Sequence, residues 1–166
     1  QRQMLTKRLY EFMRKYFPDY KFSNKIQLYY DPLLYPTRKA QGFTSSALTA
    51  NGQYLVRISA ESTATTFDLF MTMGHELIHV AHFITVPQKN EIPSDHYTAF
   101  SEVGTYGWNI LILRQDNPNA DLKGYGTQFD RFKSQVDSYR HIYPSSMQTP
   151  YTRYESWGIP TRFPTR

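Results

Sequence analysis

The sequence predicts an α+β fold with a short antiparallel or mixed sheet followed by helices. Three observations carry this. Extended, alternating runs and a hairpin signal are confined to the first 60 residues, long helical periods occupy the segments after 65, and Pro and Gly clusters separate them. At 166 residues with 40% apolar and 16% aromatic content, the chain reads as one domain over 1–166, able to bury a core without disulfides.

The elements follow in order. In "QMLTKRLYEFMRKYF" (3–17), Leu5, Leu9, Phe12, Met13 and Tyr16 fall near helical spacing, and Pro18 stops the run. "KIQLYYD" (25–31) reads as a strand ended by Pro32, and 32–41 as a loop with Pro32, Pro36 and the pair Arg38-Lys39. Residues 42–60 hold two extended runs around Asn51-Gly52, a hairpin signal. In the second arm Tyr54, Val56 and Ile58 alternate with Leu55, Arg57 and Ser59, the pattern of a strand near a sheet edge.

"TTFDLFMTMGHELIHVAHFI" (65–84) carries apolar residues nearly all round and predicts a buried helix, with Thr65 and Asp68 as a capping pair. A polar loop is expected at 85–93. Ser94 then caps a helix over about 95–114, in which Gly104 and Gly107 imply close packing on a neighbour. Residues 121–143 are expected to begin as a loop and become a helix through Phe129, Phe132, Val136 and Tyr139. About 144–166, with four prolines, reads as an irregular tail.

Composition excludes several classes of function. There is no cysteine, so thiol catalysis and Cys-based zinc sites are ruled out, and any metal must be held by His, Asp or Glu. No run reaches the ~18 apolar residues of a membrane span, and no export signal is visible. The chain begins at Gln1 and is expected to be part of something longer. Charge is uneven: +6 over 1–39, −5 over 40–121 and +4 over 122–166. The basic flanks are interspersed rather than clustered, so the expectation is a solvated surface and not a nucleic-acid footprint.

The chemistry is concentrated in "HELIH" (75–79). On a helix His75 and His79 lie one turn apart on one face and can aim two imidazoles at one point, with Glu76 beside them as general base. Such a pair predicts zinc as cofactor, and catalytic zinc takes three protein ligands with a fourth position open. His82 lies seven residues from His75, about 10.5 Å along a straight helix, and is too far to share that ion. It reads as a boundary or outer residue.

Through these residues the chain resembles the zincin superfamily of metallopeptidases. The metzincin continuation fails, because His82 and Thr85 stand where that pattern needs Gly and His. The spacing to Glu102 and its Ser-Glu-x-x-x-Tyr context resemble gluzincins, whose third ligand is a glutamate from the following helix. His96 and Asp95 remain as rivals for that place.

The resemblance implies a small zincin-like fold, an edge strand over the HExxH helix and a second ligand-bearing helix. It also implies a zinc peptidase, more an endopeptidase than an exopeptidase, acting on a protein or peptide substrate. Residues 53–60 are the expected edge strand. Tyr106, one turn past Glu102, and His141 are candidates for stabilising the oxyanion. The cysteine-free module also looks like the metallopeptidase domain at the end of some bacterial delivered toxins. The competing class is a non-catalytic zincin-like module with a structural metal, whose basic flanks contact an acidic or nucleic-acid partner.

Overall fold

A computed structural model describes residues 1–86, 92–116 and 126–144. The described residues form five α-helices and one three-stranded mixed sheet, a small α+β fold. They divide into two compact units, with the division after Val80 inside the third helix. The expected tail at 144–166, apart from Pro144, most of the 85–93 loop and the loop expected at the start of 121–143 lie outside the described residues.

In the first unit, α1 (Arg2–Tyr16) buries Leu9 and Met13 and packs on β1. Pro18 follows within two residues, as the pattern required. Its stripe continues through Phe17, which stacks on Phe70 at 5.0 Å between ring centroids.

Strand β1 (Ile26–Asp31) pairs in parallel with β3 (Tyr54–Ser59), from Ile26 opposite Tyr54 to Asp31 opposite Ser59. Strand β2 (Gly42–Leu48) pairs antiparallel with β3 through the expected hairpin, with an irregularity between Thr44 and Leu48. Gly52 supplies the turn's positive φ of 71°. Val56 and Ile58 are fully buried on one face.

Two expectations are corrected here. The strand order is β1-β3-β2, so β3, the expected edge at 53–60, lies in the middle, and β1 and β2 are the edges. Alternation in β3 resembles an edge because the face that carries Leu55 and Arg57 is only half covered. Its pairing with the distant β1 leaves no local trace. Second, 32–41 is not all loop: Leu34–Arg38 form a short helix, α2. Pro36 sits in its first turn, where a missing N–H leaves no helical bond unmade. Lys39 closes it in the left-handed region at φ 55°, its N–H donating to Tyr35 O at 2.8 Å.

At the end of β1, Asp31 accepts from Arg57 Nε at 2.9 Å and from the Leu33 N–H at 3.0 Å. Burial alone would raise its carboxyl pKa, but Arg57, the Leu33 N–H and Arg2 outweigh it and hold the group below its ordinary 3.8.

Helix α3 (Thr66–Thr85) begins with the expected cap: Thr65 Oγ1 accepts from the Asp68 N–H at 3.0 Å and donates to Asp68 Oδ2 at 2.7 Å. Phe70, Met71, Met73, Leu77, Ile78, Val80 and Ala81 are all buried, so the helix is enclosed on most sides. The Tyr20 hydroxyl donates to Leu77 O at 2.5 Å, tying the loop after α1 to the middle of α3.

In the second unit, α4 (Ser94–Asp116) packs on α5 (Gly126–Arg140). Val86, Tyr97, Ala99, Phe100 and Tyr143 form a core cluster with Phe83, Ile92 and Tyr139 against it. A Cβ added at Gly107 would meet none of the described residues within 4 Å, so the close packing expected there is absent among them. No described helix is long and apolar enough to cross a membrane.

Candidate metal centre

The HELIH segment occupies the middle of α3. The four-residue interval places the His75 and His79 rings 4.9 Å apart between centroids, inclined at 72°. His79 is buried and His75 is half-buried, so both rings sit at the margin of the enclosed part of the helix. One ligand-capable atom from each of His75, His79 and Glu102 lies within 4.8 Å of the others. Among the described residues this is the one grouping of three or more such side chains, and His96 and Asp95 are not members.

Glu76 points its carboxylate towards the sheet. It is 5% exposed, and its Oε2 accepts from the Thr44 hydroxyl of β2 at 2.6 Å. Burying a carboxylate this deeply is costly without hydrogen-bonding partners, and Thr44 provides one. Nothing in the sequence of the sheet marks a partner for Glu76. Thr44 bonds a residue 32 positions away, and no local pattern signals that contact.

On α4, Glu102 is half-buried, and the Thr105 hydroxyl donates to its carbonyl at 3.0 Å. Tyr139 of α5, placed by the sequence only in an apolar stripe, feels the charge of Glu102. Its burial raises the phenol pKa above 10.0, and the negative charge of Glu102 raises it further.

Tyr106 is half-buried and packs on Phe132 at 5.8 Å and on Tyr139 at 6.4 Å between ring centroids. His141 is exposed just past α5, its Nδ1 2.6 Å from Asp137 O one turn back. His82 is fully buried, with Nδ1 2.8 Å from the Ser101 hydroxyl, and its carbonyl accepts from Tyr97 at 2.7 Å. It is thus a core histidine of the second unit, joined by hydrogen bonds to α4.

The donor set fits a divalent ion of borderline softness. Two imidazoles and one carboxylate, with no thiolate, is a combination that zinc takes in catalytic sites with one position left open. Comparison of the chain with protein-family models, with curated proteins and with solved structures finds no match.

Proposed function

We infer that the protein is a zinc-dependent peptidase in which His75, His79 and Glu102 hold the ion and Glu76 is the general base. The observation that carries this reading is the convergence of those three donors within 4.8 Å, with a buried carboxylate next in sequence to the first of them. When bound, zinc would supply Lewis acidity, acidifying the attacking water and polarising the scissile carbonyl.

The chain's own residues do the rest. His75 and His79 would present their two imidazole donors from one helix face, one turn apart. Glu76 takes the proton of the attacking water at its carboxylate and returns it to the departing amine nitrogen. Of the two edge strands, β2 is the one whose Thr44 meets Glu76, so an extended peptide would add there. Tyr106 and His141 remain candidates for the oxyanion on sequence grounds alone; Tyr106 is half-buried against Phe132 and Tyr139, and His141 is exposed.

The alternative, a non-catalytic module with a structural metal, gives no role to Glu76. A carboxylate that ligates nothing and is buried beside the ligands is a liability in such a site.

Zinc analysis and cleavage of a peptide library test the reading. The chain should carry about one zinc. Glu76→Gln should retain the metal and lose about 10²-fold to 10⁴-fold in kcat, the usual contribution of a general base. Unchanged cleavage by Glu76→Gln would refute the mechanism, and a zinc-loaded wild-type chain that cleaves nothing would favour the structural module.

A further inference from the structure

The surroundings of Glu76 on the sheet side are more specific than burial requires. Gly42 and Thr44 are two residues apart on β2 and therefore share one face of the strand. The Thr44 hydroxyl lies 2.6 Å from Glu76 Oε2 and 3.3 Å from the Glu76 carbonyl, so the carboxylate is its nearer acceptor. A Cβ at Gly42 would fall 2.5 Å from Oε1, 2.7 Å from Cγ and 2.9 Å from Cδ of the same side chain. No carbon atom can sit at such distances. Among the described glycines, positive φ occurs at Gly52 and not at Gly42, so Gly42 is required by space and not by the backbone.

We propose that Gly42 and Thr44 form a cradle on β2 that sets the position of the Glu76 carboxylate, with Thr44 as a positioning residue for the general base. The cradle's role in catalysis rests on the peptidase reading above. One oxygen of Glu76 is tied to Thr44 and the other occupies the slot that the missing side chain leaves. The carboxylate is thereby held in one rotamer before substrate arrives. A base fixed in this way needs no ordering at the moment of proton transfer, and a shift of ~1 Å in such a group can cost 10²-fold in rate.

The three nearest obstructing atoms at Gly42 all belong to the Glu76 side chain and none to backbone, so a methyl group there presses first on that side chain. Position 42 therefore acts directly on the base. Thr44→Val keeps the shape of the side chain and removes the donor, and Thr44→Ser keeps the donor.

The experiment compares Gly42→Ala, Thr44→Val and Thr44→Ser with the wild-type chain, each loaded with zinc. Gly42→Ala and Thr44→Val should keep metal content and leave KM within about twofold, while kcat falls about 10²-fold. Thr44→Ser should restore kcat to within a few-fold of wild type. Crystal structures of Gly42→Ala and Thr44→Val should show the Glu76 carboxylate moved from its place beside β2. If Gly42→Ala does not fold, the two Thr44 variants decide the matter. Equal kcat loss in Thr44→Ser and Thr44→Val, or a carboxylate unmoved in both crystal structures, overturns the cradle. A wild-type chain with no peptidase activity overturns the function proposed above instead, and the cradle is then judged on the crystal structures alone.

Discussion

Glu102 is the residue on which the metal assignment turns, and its removal can be read as a change in stability. An ion that binds the folded chain and not the unfolded one stabilises by RT ln(1 + [L]/Kd), about 2.7 kcal/mol at a free concentration 100 times Kd. The 166-residue chain has no cysteine, so the unfolded state offers only weak, scattered histidine ligands and subtracts little from that value. In a chain of this length each kcal/mol moves Tm by about 2–4 °C, so saturating zinc should raise the wild-type Tm by about 5–11 °C. Glu102→Ala leaves two donors of the three and should lose most of that shift. His96 is outside the group, so His96→Ala should keep the shift in full. Thermal melts followed by circular dichroism, with and without zinc, measure both. A zinc shift that survives Glu102→Ala and disappears in His96→Ala would refute the ligand set.

Two further outcomes test the scaffold. Gly107→Ala adds a methyl group that meets none of the described residues and should raise stability by about 1 kcal/mol, or about 2–4 °C in Tm; a loss of stability would mean that the glycine is needed for close approach. The Asp31 carboxyl is held below its ordinary 3.8 in the folded chain, so its contribution is complete above that value and is lost as pH falls through the folded pKa. Asp31→Asn should therefore cost about 1 kcal/mol at neutral pH and remove part of the acid sensitivity below about pH 4, measured by urea melts at several pH values; an unchanged acid limb would show that the ion pair contributes nothing.

Much of the chain's local structure was legible because it depends on near neighbours in sequence. The periods of α1, α3, α4 and α5, the Thr65–Asp68 cap and the Asn51-Gly52 turn are all set within a few residues. The place of β3 was not, since its parallel partner β1 is reached only across α2 and β2. Helix α2 was hidden by Pro36, which reads as a breaker although it stands in a first turn that tolerates it. The same division holds at the candidate site. His75, Glu76 and His79 announce themselves by spacing on one helix. Thr44 and Gly42 belong to a strand whose own pattern says nothing of Glu76, and Tyr139 reads from its period as ordinary apolar packing.

The contact between Gly42 and Glu76 also bears on how this chain can vary over evolutionary time. A glycine required by a turn is tied to its own backbone and is indifferent to distant substitutions, as at Gly52. Gly42 is tied to the length of a side chain 34 positions away. Any lineage that shortens Glu76 removes the obstruction and frees position 42 to acquire a side chain. One that keeps the carboxylate in place keeps the glycine too, so the two positions should vary together or not at all.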